Sequence, residues 1–524
     1  MASDRVAAHR QPLCFTYSDP RACRETLLPM RRLIIYFALA VTVVTLYAGL
    51  AASRTAAGYP LDDAWIHQTY ARNWAATGQL AYVGGSPSAG STAPLWTLLL
   101  SGAYRLQIDP YLWTMLLGAL MLAISAWLLS RLAERLFPNR SLVSWLVGLA
   151  CLLEWHLIWA AASGMETLLF IALALALIDR VWVESSGWII GVLGGLLILT
   201  RPEGLLLFAL VLVAMLAARR SGRAGAIEVV KAAGLFLIVL TPTAIFNLQT
   251  SGSILPNTFY AKQSEYAELL SSLPRWLTSI GNMLVAPLAG GLLLLIPGVV
   301  MWIVARVINL RGEMKSRPAL TNLFVMNFPL LWMFAHISVY ALRLPVSYQH
   351  GRYLLPIIPI VLLYGIVGTV LLLDRLKTRS AKPITRLLRR VYALVIVVVF
   401  ALYVPIGAAA FATDVAIING EMVAVAQWLD RNTPPDAIIA AHDIGAIGYF
   451  TRRPILDLAG LISPEVIPFI RDEAQLGDWL QAKGANYFVT FPGWYPQLAT
   501  RWPQIFAGNS TSSPEHMTVY ALDQ

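Results

Sequence analysis

Residues 59–73 read YPLDDAWIHQTYARN and follow the first long apolar run of the chain directly. The two adjacent carboxylates, Asp62 and Asp63, therefore emerge at the mouth of a membrane span and open a mixed polar and aromatic helix. Asp63 and His67 are one helical turn apart and share a face. With Arg72 nearby in the same helix, the pattern favours a proton-transfer site beside a membrane cavity.

A simpler structural interpretation of the acidic pair stays open. Asp62 would cap the helix predicted over residues 63–77, and Asp63 would favour the positive end of the helix dipole. If one of the two accepts a proton instead, both remain candidates. Asp63 is slightly preferred, because Asp62 is the better helix cap and His67 lies one turn below Asp63.

Composition indicates the class of protein. The chain has 524 residues, of which 57% are hydrophobic and 13% charged, and its mean hydropathy is +0.63. A soluble protein of this size needs far more charged surface, so a polytopic membrane protein is predicted. The net charge of +10 does not indicate nucleic-acid binding, because the positive residues fall in short loops between apolar runs. The three cysteines suggest neither a disulfide framework nor a zinc site.

Eleven apolar runs are candidates for membrane helices. A full span needs about 17–25 apolar residues, and most of the runs qualify. Two short runs, 187–200 and 203–218, flank Arg201 and Glu203 and are predicted to form a hairpin whose charged tip lies inside a cavity. The other runs cover residues 33–51, 110–130, 142–160, 165–181, 231–248, 281–306, 321–342, 353–373 and 391–411.

Loop charge predicts the orientation. The basic residues of the loops near 131–140, 219–231, 306–317 and 375–390 all fall on one side only if the apolar segment 94–106 lies on the surface. By the positive-inside rule that side is the cytoplasm. The N-terminus is then cytoplasmic, and the segments that face outwards are the first outer loop 52–109, residues 161–165, 249–280 and 343–352, and everything beyond about 412.

The expected fold class is a mainly α, polytopic membrane protein with about eleven transmembrane helices and a C-terminal extracytoplasmic α/β domain. Residues 1–32 are a cytoplasmic tail, residues 33–411 the transmembrane domain and residues 412–524 the small α/β domain. His442 and Asp443 end a strand ahead of a glycine-rich turn, where a structural turn is favoured over a sugar-binding edge. Predicted helices cover 421–431 and 476–483, and predicted strands cover 437–441, 455–458, 487–490 and 517–522.

Other polar groups occur on the same predicted outer side. Glu166 lies between two spans at the outer rim, although it could equally be a first-turn residue of the next helix. Arg201 and Glu203 form a buried charged turn, or simply an internal ion pair that joins two short helices. Two later sets of side chains are Tyr260 with Lys262, and His350 with Arg352 and Tyr353.

The cations indicate an anionic ligand. Lys262, Arg352 and Arg201 can converge on one phosphate, since a bidentate arginine and a point-charge lysine suit it. A nucleotide donor is not expected, because no glycine-rich phosphate loop occurs. A lipid-linked phosphosugar would lie within reach: an acceptor hydroxyl would attack the sugar, its proton would pass to an aspartate, and the phosphate would leave. The candidate substrate- and phosphate-binding set is completed by His67, Arg72, Glu166, Glu203, Tyr260, His350 and Tyr353.

Six segments carry a resemblance to a known family: Asp62-Asp63, Tyr70-Ala-Arg72-Asn73, Ser91-Thr-Ala-Pro94-Leu-Trp96, Arg201-Pro-Glu-Gly204, Pro256-Asn-Thr-Phe-Tyr-Ala-Lys262 and Gly351-Arg-Tyr-Leu-Leu-Pro356. Over residues 30–410 the chain resembles the GT-C superfamily of polytopic glycosyltransferases. It is most similar to the dolichyl-phosphate-mannose and aminoarabinose-transferase-like group and to mycobacterial arabinofuranosyltransferases. Residues 443–449 and 457–464 look like the tail domain of some bacterial members.

The resemblance implies inverting transfer of a sugar, such as mannose or arabinofuranose, from a polyprenyl-phosphate donor. The acceptor would be a glycan, lipid or protein on the outer face of the cell membrane, with Asp62 or Asp63 as general base. Residues 33–411 would be the catalytic domain of a hexosyl- or pentosyltransferase. Some relatives carry Asp-Glu in place of this acidic pair, so the sugar is left open. Some members use a divalent cation, which the pair could hold with waters and phosphate oxygens, and no metal ligands are assigned.

Two other classes of protein are considered. A transporter or flippase for a lipid-linked sugar tends to have paired halves with broken helices at matching positions, whereas this sequence has one short hairpin and no second copy. A non-catalytic membrane scaffold would not need the acidic pair. Polar groups confined to the outer face fit catalysis there better than either alternative.

Overall fold

The computed structural model describes residues 20–218, 223–266, 273–313, 317–379 and 383–522. The predicted cytoplasmic tail lies outside this part of the chain up to position 19. So do residues 219–222, 314–316 and 380–382, which belong to three of the predicted basic loops.

Helices dominate the described chain. Each predicted apolar run is largely helical, and the run at 281–306 is interrupted by a turn and a short 3₁₀ helix at Leu293–Leu295. The α-helices in chain order are α1 (Pro20–Arg54), α2 (Asp63–Thr77), α3 (Pro94–Leu106), α4 (Pro110–Leu136), α5 (Ser141–Leu153), α6 (Trp155–Ala162), α7 (Thr167–Trp182), α8 (Gly187–Ile198), α9 (Gly204–Ala218), α10 (Arg223–Ser251), α11 (Asn257–Glu265), α12 (Leu273–Val285), α13 (Ile296–Glu313), α14 (Arg317–Arg343), α15 (Tyr348–Gly351), α16 (Ile358–Arg379), α17 (Pro383–Ile418), α18 (Ala424–Asn432), α19 (Gly445–Thr451) and α20 (Glu473–Ala482).

Six helices of the described chain are long and apolar enough to cross a membrane. α5 and α6 would together make a seventh, although the chain bends by 54° between them. The predicted number of eleven spans is therefore not confirmed. The difference lies in short helices such as α8, with 12 residues, and α9, with 15. At about 1.5 Å per residue neither reaches the roughly 30 Å of a hydrocarbon core. As predicted, α8 and α9 flank the charged turn at 201–203.

Within the described residues, seven strands form two sheets. A small antiparallel pair, β1 (Ala81–Val83) and β2 (Ser86–Pro87), lies between α2 and α3. The other strands are β3 (Ile439–Ala441), β4 (Ile455–Asp457), β5 (Tyr487–Thr490), β6 (Gln504–Ala507) and β7 (Thr518–Ala521), and their order in the sheet is β4-β3-β5-β7-β6.

This five-stranded sheet confirms the predicted C-terminal α/β domain, which is defined here as residues 424–521. β3 runs parallel to both β4 and β5, whereas β7 is antiparallel to β5 and β6. β6 was not predicted from the sequence, because it is a partly exposed edge strand without a continuous buried apolar run.

The last long helix continues into this domain without a break. α17 passes through a π-helical turn at Asn419–Val423 into α18, so the predicted boundary at 411/412 falls inside a helix. In that turn the buried carboxylate of Glu421 accepts hydrogen bonds from the backbone amides of Ser510 at 2.9 Å and Met517 at 2.8 Å. The turn is thereby tied to the C-terminal α/β domain.

Glycines let α13 and α16 approach closely. A Cβ atom added at Gly368 would lie 1.9 Å from the carbonyl oxygen of Gly298, and one added at Gly298 would lie 2.0 Å from that of Gly365. Both distances are far inside van der Waals contact, so a larger residue forces the helices apart. Small residues at such crossings are typical of membrane helices, whose association depends on close packing.

Gly368→Ala should therefore lower the free energy of unfolding by about 1–3 kcal/mol, because the added methyl group overpacks the crossing. Gly234 in α10 is a matched control, since a Cβ atom there meets nothing within 4 Å. Gly234→Ala should leave stability unchanged or slightly higher. Thermal unfolding in detergent, followed by tryptophan fluorescence, measures both variants, and equal melting temperatures would contradict the close packing.

Candidate active site

Four residues predicted from the sequence meet at one point. Asp63 Oδ2 accepts a hydrogen bond from Arg352 Nη1 at 2.6 Å. The Tyr353 hydroxyl accepts from Arg352 Nη2 at 3.0 Å and from Lys262 Nζ at 2.8 Å. These residues are called the central cluster, and they combine one carboxylate, two cations and a phenol.

The residues of the central cluster lie on three separate elements. Asp63 is the first residue of α2, directly after the loop that leaves α1. Lys262 lies on α11, and Arg352 with Tyr353 opens the short 3₁₀ helix that leads into α16. The cluster therefore depends on tertiary packing of segments that are far apart in the sequence.

The chain turns sharply just before Arg352. The φ angle is 53° at Gln349, 58° at His350 and 69° at Gly351. A non-glycine residue in a sparsely populated backbone region costs about 1–3 kcal/mol, so local contacts must hold it. One such contact is the hydrogen bond of 2.8 Å between His350 Nε2 and Asp414 Oδ2. It places His350 against Asp414, outside the central cluster.

The charge state of Asp63 follows from its neighbours. Packing around the carboxyl opposes ionisation, but the charges of Arg352 and Lys262 outweigh it and hold the pKa of Asp63 at about 2. The Asp63 side chain is 38% exposed, whereas that of Arg352 is 10% exposed. Asp63 is consequently a carboxylate at neutral pH that an approaching molecule can reach.

A second row of charged side chains supports the ring of Tyr353. Arg201 Nε lies 2.6 Å from Glu203 Oε1 and 3.6 Å from Glu166 Oε1. Glu203 also accepts a hydrogen bond from the Tyr340 hydroxyl at 2.6 Å. The ring of Tyr340 in turn stacks on that of Tyr353 with centroids 5.3 Å apart. The internal ion pair expected between Arg201 and Glu203 is present. Through Tyr340 it supports the ring of Tyr353, whose hydroxyl accepts hydrogen bonds from both cations.

His67 and Glu166 extend this row beneath α2. His67 Nε2 lies 3.2 Å from Glu166 Oε2. The Glu166 carboxylate therefore lies between the His67 imidazole and the Arg201 guanidinium. Glu166 occupies the N-cap position of α7 without a side-chain cap hydrogen bond. Its carboxylate thus serves His67 and Arg201 rather than its own helix.

Asp62 contacts the C-terminal α/β domain. It makes no side-chain cap hydrogen bond to α2. Its carboxylate accepts instead from the backbone amides of Gly445 at 2.6 Å and Ala446 at 2.8 Å, in the first turn of α19. The interpretation of Asp62 as the cap of α2 is therefore wrong, because two amides of another helix occupy its oxygens. Burial raises the pKa of Asp62, and these hydrogen bonds oppose the rise.

Arg72 binds the other end of α19. Its guanidinium donates to the carbonyl oxygens of Tyr449 at 2.7 Å and Gly448 at 3.3 Å and lies 4.8 Å from the centroid of the Tyr449 ring. Arg72 is thus a contact between α2 and the C-terminal α/β domain rather than a member of the central cluster. Tyr260 also lies apart, 36% exposed, with its ring 5.4 Å from that of Phe259.

Two residues of the C-terminal α/β domain lie near the central cluster. His442 and Asp443 connect β3 to α19, where the sequence predicted a glycine-rich turn. Burial lowers the pKa of His442 to about 4, with Asp63 and Lys262 as the charges that act on it. Burial and the charges of Asp62 and Asp63 raise the pKa of Asp443 well above its usual range. His442 is therefore neutral at pH 7, and protonation of Asp443 is favoured.

Four buried polar atoms of the site residues have no hydrogen-bond partner among the described residues, namely His67 Nδ1, Glu166 Oε2, Arg352 Nε and Asp443 Oδ2. Because buried polar atoms are normally paired, these mark positions where a ligand can supply the partner. A divalent cation does not fit this site. Within the described ranges, no group of three or more His, Cys, Asp or Glu side chains is arranged to hold a metal ion. Both carboxylates of the acidic pair are already bound, one to an arginine and the other to two amides.

Comparison with solved structures places this arrangement on a known fold. ArnT from Cupriavidus metallidurans bound to undecaprenyl phosphate has a TM-score of 0.57 and 15% identity, over 93% of this chain and 97% of ArnT. The archaeal oligosaccharyltransferase AglB from Archaeoglobus fulgidus, in complex with an inhibitory peptide and a dolichol-phosphate, has a TM-score of 0.59 and 12% identity, over 95% of this chain and 75% of AglB. The chain has the GT-C fold.

The GT-C fold is shared with longer proteins as well. Mycobacterial arabinofuranosyltransferase AftD has a TM-score of 0.50 and 14% identity, and the match covers 94% of this chain but 40% of AftD. Residues 405–520 match a family described as a domain of unknown function (DUF8728), and this range covers all but the last residue of the C-terminal α/β domain. No curated protein matches the chain in sequence.

Asp62→Ala should loosen α19, since loss of the acceptor leaves two amides unpaired at a cost of about 1–3 kcal/mol. Hydrogen exchange at residues 445–451 should accelerate. Asp109 is the matched control, because its carboxylate caps α4 by accepting from the Leu112 amide at 2.8 Å. Asp109→Ala should speed exchange near Leu112 and leave 445–451 protected. Unchanged exchange at 445–451 in the Asp62 variant would show that this contact does not hold α19.

Proposed function

We propose that the chain is an inverting glycosyltransferase that moves a hexosyl or pentosyl group, such as mannose or arabinofuranose, from a polyprenyl-phosphate donor to a glycan, lipid or protein acceptor. The observation that carries the proposal is the hydrogen-bonded ion pair of Asp63 with Arg352, joined to Lys262 through the Tyr353 hydroxyl. The GT-C fold supports it, as do the undecaprenyl phosphate bound to ArnT and the dolichol-phosphate bound to AglB.

The two cations suit the donor phosphate. Arg352 offers a planar fork of N–H donors and Lys262 a compact point charge, and the Tyr353 hydroxyl holds both in register. Arg352 Nε is buried and has no partner among the residues described, so it can donate to a phosphate oxygen. The leaving group of the transfer is this lipid phosphate, whose added negative charge the same cations stabilise.

Asp63 is the proposed general base. The acceptor hydroxyl gives its proton to Asp63 while its oxygen forms a bond to the anomeric carbon of the donor sugar. The bond from that carbon to the phosphate oxygen breaks on the opposite side, and its electron pair leaves with the phosphate. One displacement of this kind inverts the anomeric configuration. Asp62 is less suited to the role, because both of its oxygens accept amide hydrogen bonds.

Donor binding should activate the base. Arg352 and Lys262 hold the pKa of Asp63 at about 2, where a carboxylate is a weak base. A phosphate that binds these cations offsets part of their charge, so the pKa of Asp63 rises toward its ordinary range. The base then becomes stronger only when the donor is in place, and this limits proton abstraction without a substrate.

We further propose that the site faces outwards across the cell membrane. α7 begins beside Glu166, in the site, and near its other end carries Asp179 and Arg180, close to Arg131 and Arg135. The site and this group of arginines therefore lie at opposite ends of one helix. By the positive-inside rule the arginines are cytoplasmic, which puts the N-terminus inside and the C-terminal α/β domain outside. The catalytic unit then spans residues 33–411, between the tail 1–32 and the small domain 412–524.

Asp63→Asn should reduce sugar transfer by a factor of about 10²–10⁴, the usual contribution of a general base. Radiolabelled polyprenyl-phosphate mannose and arabinose, a mixed glycan acceptor pool and protein in nanodiscs provide the assay. Asp109→Asn is the control and should retain activity, with both melting temperatures close to wild type. Full activity in the Asp63 variant would remove the proposed base. Movement of the lipid across the bilayer without consumption of either donor would favour a transporter.

The pH dependence of transfer should report the pairing of Asp63 with Arg352. Because a base must be ionised, kcat/KM of the wild type should be nearly flat from about pH 5 to 7. Arg352→Gln removes the largest charge that lowers the pKa of Asp63, so that pKa rises and the acid limb moves to higher pH. Arg105→Gln, at an exposed position of α3, should keep the wild-type profile. An unmoved acid limb in the Arg352 variant would contradict the pairing.

A further inference from the structure

The C-terminal α/β domain presents one sheet edge to the central cluster. β3 and β5 are adjacent and parallel, so the segments after them lie at the same edge of the sheet. His442 and Asp443 follow β3, and a short 3₁₀ helix at Pro492–Trp494 follows β5. In open α/β sheets the carboxyl ends of parallel strands are the usual place for a ligand.

The two segments touch each other at this edge. The rings of His442 and Trp494 lie edge to face, with centroids 4.9 Å apart and an angle of 76° between their planes. The Tyr495 hydroxyl lies 2.7 Å from His442 Nδ1, while His442 Nε2 is 4.0 Å from Glu265 Oε1. The Tyr495 contact therefore fixes the imidazole ring and leaves Nε2 at a longer distance from its nearest carboxylate.

Two features of this edge are unexplained by packing. Trp494 is 49% exposed, although tryptophan is usually well buried. Asp443 Oδ2 is buried and, in the part of the chain that the structure describes, has no hydrogen-bond partner. An exposed aromatic ring that contacts His442, with an unpaired polar atom on the next residue of the chain, is the composition of a site that binds a partly apolar, partly polar ligand.

The protonation states of His442 and Asp443 favour a neutral ligand. Burial lowers the pKa of His442, and burial together with the neighbouring carboxyls raises the pKa of Asp443, so both groups favour their neutral forms. Neutral donors and acceptors suit hydroxyl groups better than ions. A sugar ring offers hydroxyls at its rim and a C–H face that can lie on an indole ring.

We propose that His442, Asp443 and Trp494 form the binding site for the acceptor, and that the acceptor is a neutral glycan whose terminal sugar stacks on Trp494. The inference rests on the proposed glycosyl transfer and names its second substrate. Asp62, the residue before Asp63, accepts hydrogen bonds from the amides of Gly445 and Ala446, so the chain at 442–443 lies beside the proposed base. A terminal sugar held by these residues therefore presents a hydroxyl toward the proposed base.

The lipid-phosphate donor binds at a different place from the proposed acceptor. Its phosphate belongs with Arg352, which opens a candidate membrane span at Tyr348–Thr378. His442, Asp443 and Trp494 all belong to the C-terminal α/β domain and approach Asp63 from that domain. Donor and acceptor thus reach Asp63 from different parts of the protein, as a direct displacement with inversion requires.

Binding of a neutral mannose trisaccharide and a neutral arabinose trisaccharide tests the proposal. Full-length protein in nanodiscs is titrated with each and followed by saturation-transfer difference NMR. At least one trisaccharide should bind the wild type, and Trp494→Ala should raise its Kd about tenfold or more, the effect of one lost stacking contact of about 1.4 kcal/mol. Trp188→Ala is the matched control, since Trp188 is 50% exposed on α8, and it should bind as the wild type does.

Asp443 gives a second, independent variant pair. Asp443→Leu should weaken trisaccharide binding about tenfold, whereas Asp443→Asn keeps a neutral donor and acceptor and should largely retain it. The proposal is overturned if neither trisaccharide binds, if Trp494→Ala leaves Kd unchanged, or if a peptide takes the Trp494 site instead.

Undecaprenyl phosphate binding separates this inference from the proposed function. It should be unchanged in the Trp494 and Asp443 variants and lost in Lys262→Gln, which should still bind the trisaccharide. If Lys262→Gln still binds undecaprenyl phosphate and trisaccharide binding is intact, the result counts against the proposed function alone.

Discussion

The structure depends on the hydrogen bonds that join α2 to the short helix α19. Asp62 accepts from the amides at the start of α19, and Arg72 donates to the carbonyls at its end. An acceptor at the amino end and a cation at the carboxyl end both complement the helix dipole. The fit is close, since a Cβ atom at Gly445 would lie 2.1 Å from the Asp62 carbonyl oxygen. The next residue, Asp63, is therefore necessarily at the contact between the membrane helices and the C-terminal α/β domain.

Buried charge at this contact is almost fully paired, as the cost of burying an isolated ion demands. Asp63 is bound to Arg352, Glu166 lies beside His67 and Arg201, and Glu203 shares Arg201. Asp443 lies near other carboxyl groups, and its buried Oδ2 has no hydrogen-bond partner among the described residues. Burial and the neighbouring carboxyl groups raise the pKa of Asp443, which favours its protonated form. The unpaired buried atoms at this contact, on Asp443, His67 and Arg352, are positions where a ligand can supply the partner.

The sequence predicted those elements of the structure that depend on local sequence patterns. The helix at 63–77, the hairpin of α8 and α9, and the convergence of Lys262 and Arg352 follow from helical periodicity, apolar run length and the side chains that suit a phosphate. It could not predict which helix Asp62 caps, because α19 lies far along the chain and reaches Asp62 only after the domain has docked. Arg72, His442 and Asp443 depend on the same docking. The predicted number of eleven spans is not confirmed, since helices of 12 and 15 residues are apolar without being long enough to cross a membrane alone.

The C-terminal α/β domain is attached to the membrane helices at two places. These attachments determine how its residues can take part in the chemistry at Asp63. α17 continues through the π-helical turn into α18, and α2 holds α19. A domain joined by one flexible linker could rotate, and the positions of His442 and Asp443 relative to Asp63 would vary. Two separate attachments remove that freedom, so residues of the domain can serve chemistry in which small displacements matter. The cations that suit a phosphate sit instead on α11 and before α16. Changes at the sheet edge can therefore alter what approaches Asp63 without disturbing the phosphate-binding cations.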